Sequence, residues 1–115
     1  MTKEKKIENV LRMLGVNGAY MGYYYMAYAL GRVMEDRMLI TYISKGLYVE
    51  IAAKFHTSVA CVERNLRTVV QVIWNYGDKE LLEEMAGKKL EKRPGNSEFI
   101  DIVSGYLKDK WEKEA

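Results

Sequence analysis

The sequence predicts an all-α fold of about six helices in one compact domain that contains a helix-turn-helix. Three observations predict it. Apolar residues recur at helical spacing through most of the chain. Proline occurs once in 115 residues, and Tyr, Met, Leu, Lys and Glu outweigh the residue types that mark strand-rich loops. With 49% hydrophobic residues, a chain of this length can bury most of the apolar surface of its unfolded form around one core, so residues 1–115 are expected to form one domain.

The first helical pattern runs through KEKKIENVLRML, where Ile7, Val10, Leu11 and Leu14 fall at i, i+3, i+4 and i+7. It ends at Gly15, and GVNG is turn chemistry. A second helix, apolar almost all round and therefore expected deep in the core, begins near Tyr20 and continues to about Asp36. Five of its residues are tyrosines, with Tyr20, Tyr24 and Tyr28 stacked on one face. An aromatic ligand pocket and core packing are the two readings of that stack. Packing is favoured, because tyrosines bury well when the hydroxyl reaches a partner, and no site is assigned there.

RMLITYISKG predicts a short helix closing at Gly46, and LYVEIAAKF predicts another that breaks at His56 and Thr57. The longest pattern spans about 58–76 and stops at Gly77, the expected left-handed residue after a helix end. Asp78 opens a polar helix with an acidic first turn. KKLEKRPGN, with the only proline, is an exposed loop or helix edge, and Asn96 or Ser97 caps a last helix through SEFIDIVSGYLKDKW. The tail after Trp111 is expected to fray.

Composition narrows the function. Net charge is only +2 and the sequence pI about 8.6, so a polyanion site must come from local clustering. One cysteine and one histidine exclude an internal disulfide and a multi-ligand zinc or histidine cluster, which fits a reducing cytosol. No cofactor or metal is expected. No run approaches the roughly 18 apolar residues of a membrane span, and MTKEKKIENV lacks the apolar core of a signal peptide, so the protein is read as soluble and cytoplasmic. An enzyme is the weakest class, since Cys61 and His56 lie across a turn with no evident orienting carboxylate.

On the 58–76 helix, Val59, Val62, Leu66, Val69, Val70 and Ile73 share one apolar arc, and Cys61, Arg64, Thr68, Gln71 and Asn75 lie opposite. Glu63 falls near the boundary, Asn65 and Ser58 flank one side of the exposed face, and Arg67 flanks the other. A solvated face with an intrahelical Glu63–Arg67 pair accounts for this pattern. So does a helix-turn-helix. A short helix, a tight break and a long polar-faced helix make that arrangement, with Ile51, Ala52, Phe55 and Val62 where the helices must touch. Arginine can then donate twice to guanine, and glutamate can accept from cytosine. His56 stands where many such motifs place glycine, and histidine tolerates the left-handed turn better than most residues.

The stretch LYVEIAAKFHTSVACVERNLRTVVQVIWNYG resembles the DNA-binding effector domain of the sporulation initiation response regulator of endospore-forming bacteria. RPGNSEFIDIVSGYL resembles that domain's end, and GVNGAYMGYYYMAYAL with ITYISKGLY its beginning. The resemblance implies a six-helix domain that inserts the second helix of its helix-turn-helix into the major groove of double-stranded DNA. It also implies tandem binding of two copies, hence a possible homodimer on tandem sites, and contact with the sigma subunit of RNA polymerase. The matching base-reading positions are Glu63 and Arg64, with Arg67 a further contact.

Cys61 stands in the reading set where the family has arginine, and Thr68 where it often has histidine. Loss of a bidentate guanine contact removes roughly 1 to 3 kcal/mol of discrimination at that base pair. Thr57, Ser58, Asn65 and Thr68 are candidate backbone contacts. Lys92 and Arg93, with Lys88 and Lys89, form the strongest basic cluster, and the start of the last helix at Asn96 and Ser97 could hold a phosphate. A solvated helix end and an ordinary N-cap explain those residues equally well. The family's full-length protein carries a phosphorylatable receiver domain that these residues do not supply, so an effector domain alone is expected. The low net charge and Cys61 keep a second function open: a protein-interaction module that engages the sigma subunit or a full-length regulator without specific DNA binding.

Overall fold

The computed structural model describes residues 1–114. Seven α-helices follow one another: α1 (Lys3–Leu14), α2 (Met21–Glu35), α3 (Met38–Thr41), α4 (Tyr48–Lys54), α5 (Val59–Tyr76), α6 (Lys79–Ala86) and α7 (Asn96–Glu114). α3 lies in the stretch RMLITYISKG where a short helix was expected, and with it the helices number seven rather than about six. The 37–46 segment makes one α turn and then a π-helical turn, Ile43–Leu47, that leads directly into α4. α7 keeps residues 112–114 helical where fraying was expected, and the last residue of that tail, Ala115, lies outside the described residues.

α2 is the central element and packs on α1, α5 and α7. Its buried face is Gly22, Tyr23, Tyr25, Met26, Ala29, Leu30 and Val33. The Tyr20, Tyr24 and Tyr28 stack is not the buried set: Tyr20 and Tyr24 are exposed and Tyr28 half-buried. Tyr23 and Tyr25, on the other faces, go inside. Tyr23 does so by keeping its hydroxyl at the edge, where it donates to Glu8 Oε1 at 3.1 Å and accepts from Arg12 Nε at 3.2 Å.

Two glycines set how closely the helices approach. A Cβ on Gly22 would run into the carbonyl oxygen of Asn65, so the first turn of α2 meets α5 backbone to backbone. Gly77 is not left-handed as expected (φ −95°, ψ −161°). Its need is space: a Cβ there would strike the carbonyl oxygen of Leu14, which instead accepts from the Asp78 N–H at 2.9 Å. The end of α1 is thereby joined to the junction of α5 and α6.

Charged pairs finish the frame. Arg32 on α2 donates from Nε and Nη2 to both carboxylate oxygens of Glu50 on α4, at 2.9 and 3.0 Å. Arg37 donates to Asp101 and to Ser104 on α7, which gives the fully buried Ser104 hydroxyl a partner.

Gly22→Ala should lower stability by about 1–3 kcal/mol or more, because backbone, not a flexible side chain, would have to move. Thermal unfolding measures it, and an unchanged midpoint contradicts the close crossing. The Arg32 hydrogen bonds hold the Glu50 carboxyl below its ordinary range. A lowered folded-state pKa stabilises above the unfolded value and is lost as pH falls through the folded one. Glu50→Gln should therefore be less stable than the parent at neutral pH, by at most about 1 kcal/mol for so exposed a pair. The two should converge as pH falls below the ordinary glutamate range and through the lowered folded-state pKa, a difference that paired unfolding curves would reveal.

Candidate nucleic-acid interface

α4 and α5 form the helix-turn-helix. Ile51, Ala52 and Val62 are buried between them and the core, as expected of the touching positions, and half-buried Phe55 packs on Tyr25 and Tyr28 with ring centroids 5.0 and 6.0 Å apart. The turn is tight because α4 closes with a left-handed residue. His56 has φ +55°, and the following Thr57 N–H reaches back to the Ala52 carbonyl at 2.9 Å. Histidine thus occupies the place that glycine takes in many such motifs. Ser58 then caps α5, its hydroxyl accepting from the Cys61 N–H at 3.1 Å.

The core holds α5 by Val62, Leu66, Val69, Val70 and Ile73. Val59, placed by its angle in the same arc, remains 37% exposed, since it belongs to the first turn and projects beyond the core. Arg64 lies at the centre of the exposed face, with no side-chain partner among the described residues. Glu63 and Arg67, one turn apart, are joined by an ion pair. Both side chains keep more than 40% of their exposure, so the pair is screened and weak.

Cys61 is not fully outward. It is partly buried, its sulfur accepts from the Asn65 carboxamide at 3.3 Å, and the Tyr25 phenol of α2 is a neighbour. The reason is angular: Cys61 sits at the rim of the exposed arc on the side where α2 crosses. Burial, and then the neighbouring Cys61, push the Tyr25 phenol up. Asn65 also donates to the Cys61 carbonyl at 2.8 Å, and the Thr68 hydroxyl donates to the Arg64 carbonyl at 3.0 Å. Three of the candidate supporting residues are thus already engaged: Ser58 in the cap, and Asn65 and Thr68 along the helix.

The end of the basic loop, residues 93–95, comes to the same side. Leu90 is buried and its N–H donates to Glu83 Oε2 at 2.7 Å. Pro94 is buried too, contrary to a fully exposed segment, while Lys88, Lys89, Lys92 and Arg93 remain exposed. Arg93, Ser97 and the α7 start share a groove with Tyr48, Glu63 and Arg67. Asn96 does not cap α7. Its carboxamide donates to the Tyr48 hydroxyl at 3.0 Å and to the Glu63 carbonyl at 3.2 Å, while Gly95 supplies the first carbonyl of the helix, to Phe99. Burial raises the Tyr48 hydroxyl pKa. Sequence reasoning missed Tyr48, and no local signal could have found it, because its partner is 48 residues away.

Among the described residues no group of acidic, cysteine or histidine side chains could hold a metal ion, and no helix is long and apolar enough to cross a membrane. Residues 7–107 match the family model described as sporulation initiation factor Spo0A C terminal. With a match over most of its length, and an all-helical fold carrying a helix-turn-helix in the matched region, this chain belongs to the Spo0A C-terminal family, the DNA-binding effector domain of a sporulation transcription regulator.

Proposed function

We propose that this protein binds double-stranded DNA sequence-specifically, in the cytoplasm, to control transcription, with α5 in the major groove. One observation carries the reading: an unpartnered Arg64 at the centre of the exposed face of the second helix of a helix-turn-helix. Arg64 donates to a guanine edge, and Glu63 and Arg67 reach neighbouring bases once their mutual pair opens. Cys61, at the rim, offers a short contact where a longer cation would discriminate more. Lys92 and Arg93, with Ser97 at the start of α7, serve the phosphates, and Thr57, Ser58, Asn65 and Thr68 hold the reading helix in shape beside them. Tandem binding of two copies and contact with the sigma subunit of RNA polymerase belong to the same reading. No catalytic role and no cofactor is assigned.

Arg64→Ala should cost roughly 1–3 kcal/mol on a preferred duplex and relax its sequence preference. Lys92→Ala should weaken all duplexes alike and lower the salt slope by about one. Duplexes selected from a random pool provide the preferred site, and salt-titrated binding isotherms provide both numbers. If Arg64→Ala binds every duplex as tightly as the parent, α5 is not the reading helix; if the parent binds no duplex at low salt, the interaction-module function takes its place.

The half-buried position of Cys61 sets a separate expectation. Alkylation should proceed more slowly than on an open peptide thiol, and the modified protein should lose DNA binding. Labelling at the open-peptide rate would contradict the contact with Asn65 and Tyr25.

A further inference from the structure

We propose that Asn96 is a positioning residue for sequence discrimination, locking the basic loop and the start of α7 to the reading helix through Tyr48 and the backbone of Glu63. The inference rests on the DNA-reading function proposed above and goes beyond it, because Asn96 acts without touching DNA.

The geometry is that of a three-way joint. One carboxamide nitrogen, on the first residue of α7, donates to the hydroxyl of Tyr48 on the first residue of α4 and to the main-chain carbonyl of Glu63 in α5. A carbonyl can only accept, so the NH2 group must face it, and that group's two hydrogens match the two acceptors. Tyr48 is 5% exposed, so its ring is held in place by the fold around it. Both helices of the helix-turn-helix are thus held by one side chain. That side chain follows directly on Arg93, Pro94 and Gly95.

The acceptor on α5 belongs to Glu63, a proposed base-reading residue. Phosphate contacts set the register and orientation of a protein on the duplex, and base contacts then read sequence within that register. A joint between the loop that carries Lys92 and Arg93 and the main chain of Glu63 couples these two tasks. Without it the cations still neutralise phosphates, but the reading helix is no longer held in one position relative to them.

Four chains test this: the parent, Asn96→Ala, Tyr48→Phe, which removes only the hydroxyl from a buried ring, and the double variant. Each is measured on a duplex selected from a random pool by the parent and on a scrambled duplex of equal length, across salt, with circular dichroism to confirm helical folding. The preference of Asn96→Ala for the selected duplex should fall by about tenfold, with affinity for the scrambled duplex and the salt slope unchanged. Tyr48→Phe should move the same way by a smaller factor. The double variant should do no worse than Asn96→Ala, since both changes break one joint.

Uniform weakening on both duplexes with a salt slope lower by about one would make Asn96 a phosphate contact and overturn the proposal. Undiminished discrimination in both single variants would overturn it as well. Should Asn96→Ala fail to fold, Tyr48→Phe decides by the same readout. A parent that distinguishes no duplex sinks the functional reading and this inference together, whereas a discriminating parent matched by its variants sinks this inference alone.

Discussion

Where α2 meets α5, the backbone at Gly22 lies against the carbonyl of Asn65 with no room for a side chain between them. That approach sets the seat of α5. It brings Val62, Leu66 and Val69 into the core and so turns Arg64 outward. It also brings Tyr25 of α2 into the neighbourhood of Cys61. Packing and presentation are consequences of one contact, because a helix held rigidly on one face has its opposite face aimed by the same constraint. The Arg32–Glu50 fork does for α4 what Gly22 does for α5, with charge in place of close approach.

The electrostatics of the exposed face explain how a chain of net charge +2 can belong to a DNA-binding family. Positive charge is concentrated by position: Arg64 is the unpaired cation on α5, and Arg93, at the end of an exposed loop that also carries Lys88, Lys89 and Lys92, lines a groove with Glu63 and Arg67. Glu63 and Arg67 neutralise one another in the free protein. Pairing of this kind lowers indiscriminate attraction to phosphate while keeping both groups at the surface, where the pair is cheap to open.

Much of the fold was legible because helices have a period. The arcs of α1 and α5, the break after Phe55, the left-handed His56 and the cap at Asp78 all follow from local rules, and each is present. Local rules failed where a distant element decided. Tyr20, Tyr24 and Tyr28 share a face by spacing, yet Tyr23 and Tyr25 are buried, since α2 is covered on several sides and its neighbours choose the face. Gly77 marks a helix end as read, but its need for glycine comes from Leu14, at the other end of a long intervening segment.

For the candidate site the division is the same. The sequence by itself supplied the candidates for reading DNA: Arg64 by residue type and helical angle, and Glu63 and Arg67 by the resemblance of the surrounding stretch to the family's motif. Only the tertiary structure decided which of them are free to act. Cys61 lies at the rim beside Tyr25, Ser58 and Thr68 are bonded to their own helix, and Asn96 leaves the cap to join Tyr48 and Glu63. Helical periodicity is a property of neighbours in the chain. The commitment of a hydrogen-bonding group depends on what the fold brings within about 3 Å of it, and that partner can come from any part of the chain.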